Sequence, residues 1–314
     1  MGELVGIDPR GAHELIRRME AVKAFVGRTR PGLDAAIAEA GQDWAGRQGT
    51  TALHRTWAFL DESQRDLKWR IDTVEQLVPV RERGLLTAAF PFDAEPEARR
   101  AAEQTAAALR TALATPDPTG QALDQVLSPA AAQVADPAYA AALLGALGPE
   151  LFVRALRLLT EAGAGTPGAP QDASGAHSTA GSGAGLLARA FASGERTGRL
   201  GDEWQAVAET APPAVLGALV SLAPQSGTFL NQAALTLLGR PDPPHDVHAL
   251  VTAFAANPLA FQQFLAEHPR ESATLLAVGD PALQEALDAA LTPGVGAEGL
   301  RERAWANVRG SAGG

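Results

Sequence analysis

An apolar residue recurs at alternating steps of four and three through residues 50–78 of this chain. One slot in this pattern is polar and is filled by Gln64. A heptad pattern kept over about four repeats is typical of a long helix that packs lengthwise on another helix. We therefore predict a helix over about residues 51–78. Its seam consists of Leu53, Trp57, Leu60, Leu67, Ile71, Val74 and Val78.

A second apolar stripe runs through residues 9–40. The pair Asp8-Pro9 predicts the start of this helix, because aspartate caps a helix N-terminus and proline suits the first turn. Pro31 lies inside the stripe, so we expect a kink or a short break there. The apolar positions of this stripe are Leu15, Met19, Val22, Val26, Leu33 and Ile37.

Residues 41–49 separate the two stripes and contain three glycines, which suits a tight reversal of the chain. Thr50 or Thr51 would then cap the second helix. Two helices of roughly 40–48 Å, joined by such a loop, predict an antiparallel helical hairpin.

The remainder of the chain also favours helix, because it is rich in Ala, Leu, Glu and Arg, and only 5% of the residues are aromatic. A third helix is predicted at residues 94–114, with a thin apolar stripe. Several short helices with proline at their start follow it. The predicted fold class is therefore all-α, with a long N-terminal antiparallel helical hairpin followed by an array of short helices.

Changes in composition divide the chain. A Pro- and Asp-containing break lies at residues 115–120, and a stretch rich in Gly, Ala, Ser and Pro lies at 163–185. The predicted segments are 1–115 (hairpin plus third helix), 116–162 (short helices), 163–185 (flexible linker), 186–309 (short-helix domain) and 310–314 (disordered tail). The large core residues expected in the short-helix domain are Phe229, Phe254, Phe261, Phe264 and Trp305.

Charge and composition exclude several classes of protein. The formal net charge is −10 and no basic stripe is present, so nucleic acid is not an expected partner. There are no cysteines, which excludes disulfides and thiolate chemistry. The N-terminus lacks the apolar core of a signal peptide. The apolar run 214–223 is too short to span a bilayer. We expect no membrane insertion, and either a leaderless export route or a cytoplasmic location.

No motif in the chain predicts an enzyme. The Gly-Lys pair of a phosphate-binding loop, the His-Glu-x-x-His motif and the Gly-x-Ser-x-Gly elbow are all missing. His245 and His248 lie three residues apart, but zinc needs three or four converging ligands. The other nominees are Asp242, His268 and Asp246, of which Asp246 is better explained as a helix cap. We predict no catalytic residue, no metal site and no cofactor.

The predicted turn contains the tripeptide Trp44-Ala45-Gly46. A Trp-x-Gly turn between two helices of this length resembles the WXG-type helical hairpin of type VII (ESX) secretion substrates. Residues 8–85 carry this resemblance. The later part of the chain resembles the helical region that follows such hairpins in some longer actinobacterial proteins. The resemblance implies that Trp44 and Gly46 belong to a surface contacted by partners or by the secretion ATPase.

One departure from that family concerns its export signal, Tyr-x-x-x-Asp/Glu just after the second helix. The single tyrosine of this chain is Tyr139, and Leu143 stands four residues after it. The resemblance therefore implies that the export signal would come from a partner chain.

Two functions are consistent with these observations. The first is a non-enzymatic helical module associated with type VII secretion, which pairs with a second helical hairpin from the same or a different chain. The second is a cytoplasmic all-helical scaffold or adaptor that oligomerises through the hairpin. A longer natural chain with a toxin domain would add an activity that these residues do not carry. The expected partner-binding residues are Trp44, Gly46, Leu53, Trp57, Leu60, Leu67, Ile71 and Val74.

Overall fold

The structure, a computed structural model, describes residues 4–40, 44–78, 86–164, 182–239 and 247–312. Helices take up 81% of these described residues, so the predicted all-α class is confirmed. The described chain divides into two compact units. Unit 1 consists of residues 1–98 and 135–138, and unit 2 of residues 99–134 and 139–314.

Two long helices dominate unit 1, α1 (Pro9–Ala40) and α2 (Trp44–Leu77). They pack on each other, and the side-chain contacts between them join residues 13–23 of α1 to residues 57–75 of α2. His13 lies 3.8 Å from Glu75, and Gln64 Nε2 donates to Glu20 Oε1 at 2.9 Å. Residue numbers fall along α2 as they rise along α1, so the two helices run antiparallel.

Helix α2 begins earlier than the predicted loop allows. Its backbone is helical from Trp44, so Trp44, Gly46 and the expected caps Thr50 and Thr51 all lie inside the helix. The neighbouring Ala, Arg and Gln residues are good helix formers, and each glycine costs only about 1 kcal/mol relative to alanine. The prediction of a loop over residues 44–49 was therefore wrong.

Helix α1 also differs from its prediction, because it continues through Pro31 without a break. A proline inside a helix removes one backbone hydrogen bond, but the bonds of the flanking turns remain. The flanking residues Arg28, Arg30, Ala35 and Ala36 favour helix and carry the backbone past this position.

Unit 1 also contains two short strands that were not predicted, β1 (Leu4–Ile7) and β2 (Leu86–Ala89). They pair antiparallel, with Leu4 opposite Ala89 and Ile7 opposite Leu86. Both strands contact α2. The fully buried side chains around this end of α2 are Trp69, Ile71, Thr73, Val74 and Ala98, with Phe90 2% exposed.

Helix α3 (Glu95–Leu113) follows the strand pair and agrees with the predicted third helix. The predicted domain boundary lay at residue 115, whereas the division between the units falls within α3, between Ala98 and Arg99. Helix α3 is continuous across this division because the Ala/Leu stripe on one of its faces is buried from end to end. This stripe consists of Ala98, Ala102, Ala106, Leu109 and Leu113.

Unit 2 is built from short helices. They are α4 (Gly120–Leu127), α5 (Pro137–Leu147), α6 (Pro149–Ala164), α7 (Gly183–Arg196), α8 (Gln205–Thr210), α9 (Pro213–Leu222), α10 (Gly227–Leu238), α11 (His248–Ala256), α12 (Pro258–Glu267), α13 (Pro269–Ala277), α14 (Leu283–Leu291) and α15 (Glu298–Ala312). Three 3₁₀ turns lie at Ser128–Ala130, Gln133–Ala135 and Asp202–Trp204.

From α7 onward, helices that are separated by one or two others in the chain pack side by side. One row consists of α7, α9, α11 and α14, each in contact with the next. The other row consists of α8, α10, α12 and α15, again each in contact with the next. The predicted array of short helices is therefore arranged as two rows.

Both ends of the predicted linker and the start of the predicted tail belong to helices. Helix α6 continues to Ala164, and Ser182 caps α7 by accepting from the Gly185 amide, so residues 182–185 are not linker. The Gly183 amide donates to Asp124 Oδ1 at 2.6 Å, which fixes the start of α7 against α4. Residues 165–181 of the predicted linker lie outside the described part of the chain. Helix α15 continues through 312, into the predicted tail.

The predicted large core residues of unit 2 are buried with one exception. Phe229, Phe254, Phe261 and Phe264 are at most 5% exposed, whereas Trp305 is 42% exposed on α15. Among the described helices, none combines the length and apolar composition of a membrane span by itself. The bent pair α11 and α12 meets that test only when the two helices are taken together, with 115° between them.

Candidate functional site

The predicted seam of α2 is buried at one end and accessible at the other. Ile71 and Val74 are fully buried, and Leu53, Leu60 and Leu67 are half-buried. Trp57 is 42% exposed, so its prediction as a seam residue of the helix pair is only partly met. The structure thus brings Leu53, Leu60, Leu67, Ile71 and Val74 together on one stretch of α2.

The other two predicted site residues lie in the first turn of α2. The backbone places Trp44 and Gly46 in a helix and not in a loop. Their side-chain environment is outside the described part of the chain, so the expected surface around Trp44 stays a prediction.

The seam of α1 is shifted from its predicted register. The half-buried residues that recur at steps of three and four are Pro9, Ala12, Ile16, Met19, Lys23 and Val26, and Glu14 is half-buried in addition. The predicted seam shared only Met19 and Val26 with this set, and its other described members Leu15, Val22 and Leu33 are exposed.

Lys23 explains why α1 takes this register. Its ammonium group pairs with Asp61 and donates to Gln64 Oε1 at 3.1 Å. It also lies 5.0 Å from the ring centroid of Trp57, a cation–π distance. The polar slot of the α2 heptad, Gln64, therefore has its partner on α1, and polar pairs of this kind fix the register of packed helices.

The same contacts change the acidity of Asp61. The hydrogen bond from Lys23 is the main cause that lowers the pKa of this carboxyl. The positive charges of Lys23 and Arg65 also lower it, whereas partial burial raises it. The Asp61 carboxyl is thus ionised at neutral pH, and its bond to Lys23 links the two helices.

The shifted register leaves large apolar side chains facing water. Of the nine such side chains that are prominently exposed among the described residues, six lie on α1 or α2. Phe25 is 62% exposed and Phe59 67% exposed. We call these six the exposed apolar set: Leu15, Val22, Phe25, Leu33, Trp57 and Phe59.

The α1 members of the exposed apolar set lie in a line. Leu15, Val22 and Leu33 are separated by seven and eleven residues, which correspond to about two and three helical turns, so they share one face. Phe25 lies on the adjoining side of that face. The line from Leu15 to Leu33 is about 27 Å long at 1.5 Å per residue. Clustered apolar exposure of this kind marks interaction surfaces.

Sequence reasoning missed Phe25 and Phe59, because both lie off the predicted seams. The sequence does contain a signal for them. Each is an aromatic residue on the helix face that is expected to be solvated, opposite the apolar seam.

The described residues do not bring metal ligands together. No group of three His, Asp or Glu side chains there is placed to share a metal ion. His248 lies 3.1 Å from Asp280 Oδ2, and His268 packs on Phe264 with 5.5 Å between ring centroids. His245, Asp242 and Asp246 lie outside the described residues.

Comparison of the chain with protein-family models, curated proteins and solved structures gives no match.

Proposed function

We propose that α1 and α2 form a non-enzymatic binding module that pairs with a second helical hairpin. The exposed apolar set is the observation that carries this proposal. Six large apolar side chains on these two packed helices are exposed to water. A partner that binds here would bury them. Full burial of each such side chain is worth about 1.5–3 kcal/mol.

The shape of the surface favours a helical partner. The α1 part of the exposed apolar set is a narrow line about 27 Å long, and a helix is the element that covers such a line with residues at regular spacing. A hairpin would also cover one of the two α2 members, since Trp57 and Phe59 are two positions apart and lie on opposite sides of α2, and it would complete a four-helix bundle. The partner would come from another copy of the chain or from a different chain.

The biological setting that we propose is type VII secretion, in which such a pair would be the targeting or delivery region of an exported protein. This setting is supported by the Trp44-Ala45-Gly46 tripeptide in the first turn of α2, and by the length of α2 and of the preceding helix α1. A cytoplasmic scaffold is the competing setting for the same binding surface.

The proposal is tested with the full chain and a matched pair of double variants. Phe25→Ser with Phe59→Ser removes the two most exposed aromatic side chains. The control, Ala24→Ser with Ala58→Ser, introduces two serines at neighbouring exposed positions and keeps both phenylalanines. Light scattering measures self-association, and co-purification with helical-hairpin proteins encoded by neighbouring genes measures pairing with another chain.

We expect the phenylalanine double variant to lose assembly while keeping its helix content, and the alanine double variant to assemble normally. A full-length protein that is monomeric and binds none of these hairpins would contradict the proposal. Export assayed with and without the co-expressed neighbours separates the two settings: a complex that is stable but never exported favours the scaffold.

A further inference from the structure

Unit 2 contains a cavity of about 380 Å³ between α7, the 3₁₀ turn Asp202–Trp204, α8 and the first half of α10. This volume is in the range of small-ligand sites. The cavity is remote in sequence from the exposed apolar set and is independent of the function proposed above.

Three aromatic side chains from three different elements form the apolar part of the cavity wall. Phe191, Trp204 and Phe229 all line it, and each is at most 5% exposed. Phe191 lies 4.9 Å from Phe229 and 6.0 Å from Trp204 between ring centroids. Phe152 packs behind them, 5.5 Å from Phe191 and 5.3 Å from Trp204. The aromatic wall is thus held in place by other rings.

A carboxylate completes the wall. Glu195 Oε1 accepts a hydrogen bond from Ser226 Oγ. Glu195 Oε2 is buried, and no described residue donates a hydrogen bond to it. The neighbouring Arg196 directs its Nε to the carbonyl of Ala192 at 3.1 Å, and its charge attracts Glu195 without a hydrogen bond to Oε2. A buried carboxylate oxygen without a donor is unfavourable, and a donor on a ligand would relieve it.

The charged residues that line the cavity have one sign. The described lining residues include two acids, Glu195 and Glu209, and no Lys, Arg or His. The uncharged polar lining residues are Gln205, Thr228 and Gln232. A cavity with aromatic walls, net negative charge and an unsatisfied carboxylate oxygen is complementary to an organic cation.

We propose that this cavity binds an ammonium or guanidinium group, with Glu195 as its counter-ion and the rings of Trp204, Phe191 and Phe229 around its alkyl or planar part. The cation pairs with the Glu195 carboxylate, whose Oε1 is held by Ser226. The same group is presented by a free organic amine and by a lysine or arginine side chain of a peptide. The size of the cavity admits either.

Calorimetric titration of the full-length protein tests the proposal. The free cations are n-pentylammonium and n-butylguanidinium, the peptides are acetyl-Gly-Lys-Gly-amide and acetyl-Gly-Arg-Gly-amide, and n-pentanol is the uncharged match. We expect at least one cation to bind with a Kd below about 1 mM and n-pentanol to bind about tenfold more weakly or not at all. Tighter binding of the free cations than of the peptides identifies a small amine as the ligand class, and the reverse identifies a side chain.

Two variants of equal charge locate the site. Glu195→Gln keeps an oxygen for Ser226 but removes the counter-ion, and should weaken cation binding about tenfold or more. Glu267→Gln removes one charge at an exposed position outside the cavity and should leave binding unchanged. Should Glu195→Gln lose its helical circular dichroism, Thr228→Arg at the exposed rim replaces it, because its guanidinium would compete for the site. The proposal is overturned when no cation binds, when n-pentanol binds equally well, or when neither cavity variant weakens binding.

Discussion

Trp69 Nε1 donates a hydrogen bond to Asp136 Oδ2 at 3.0 Å, although 67 residues separate them in the chain. Both side chains are fully buried. The second carboxylate oxygen of Asp136 accepts from the Ala138 amide at 2.9 Å and so caps the first turn of α5. One carboxylate therefore satisfies a buried indole and starts a helix.

Asp136→Ala should lower the free energy of unfolding by about 2–4 kcal/mol, because it leaves the Trp69 N–H buried without an acceptor and removes a helix cap. Asp136→Asn keeps an acceptor oxygen and should cost less. Urea unfolding followed by circular dichroism and tryptophan fluorescence measures both. Asp8→Ala, at the exposed cap of α1, is the control and should cost about 1 kcal/mol. Equal losses for Asp136→Ala and Asp8→Ala would show that the indole bond contributes nothing.

Two phenylalanines of unit 1 should respond in opposite ways to the same substitution. Phe90 is 2% exposed and lies 5.5 Å from Trp69 between ring centroids, so Phe90→Ala should cost about 3–5 kcal/mol. Phe59 is 67% exposed, and Phe59→Ala should change stability by less than about 0.5 kcal/mol. Thermal unfolding of both variants makes the comparison. A large loss for Phe59→Ala would mean that this side chain is buried, within the chain or by self-association.

Two helical glycines form another matched pair. A Cβ at Gly120 would come 2.4 Å from the Leu158 carbonyl and 2.6 Å from Ala162 Cβ, so α4 and α6 pack too closely for any side chain there. Gly120→Ala should cost about 1–3 kcal/mol. Gly145 in α5 is exposed, and a Cβ there meets nothing within 4 Å. Gly145→Ala should therefore be neutral or stabilise by up to about 1 kcal/mol. Chemical denaturation ranks the two, and the reverse order would refute the close packing of α4 on α6.

The pairing of Asp61 with Lys23 predicts a contribution to acid stability. Because the folded pKa of Asp61 lies below its ordinary value of 3.8, the contribution is fully present above that value and is lost as the pH falls through the lower folded pKa. Asp61→Asn should therefore unfold with a shallower acid dependence than the wild type at pH values below about 4. Glu62→Gln, an exposed neighbour on α2, controls for the loss of one charge. Identical acid profiles for Asp61→Asn and the wild type would contradict the assignment.

The short helices of unit 2 could be predicted because their signals are local. Helices α9 (Pro213–Leu222) and α12 (Pro258–Glu267) each begin at a proline, as the sequence predicts for the short helices. Asn257 caps α12 by accepting from the Ala260 amide at 3.3 Å, as an Asn-Pro pair predicts. The capping residue, the proline and the apolar periodicity of such a helix all lie within about ten residues of one another.

The register of α1 could not be predicted from periodicity. The heptads that begin at Leu15 and at Ala12 share Met19 and Val26, and the first looks better because it avoids Lys23. Only the contact of Lys23 with Asp61 and Gln64, on another helix, makes the second one stable. The exposed apolar set follows from this register of α1, so periodicity could not predict that set either.

Long-range features were missed for a related reason. Strands β1 and β2 are four residues each and pair across about eighty residues of chain, so neither carries a strand pattern long enough to read. The cavity of unit 2 takes Phe191, Trp204 and Phe229 from three elements, and no spacing in the sequence joins them.

The chain passes between the two units three times, at residues 98/99, 134/135 and 138/139. No single cleavage can therefore release both units whole. A fragment that stops at residue 115 would look complete by composition, yet it would lack the loop that supplies the acceptor for Trp69. Anyone dissecting this protein must carry residues 135–138 along with the first ninety-eight.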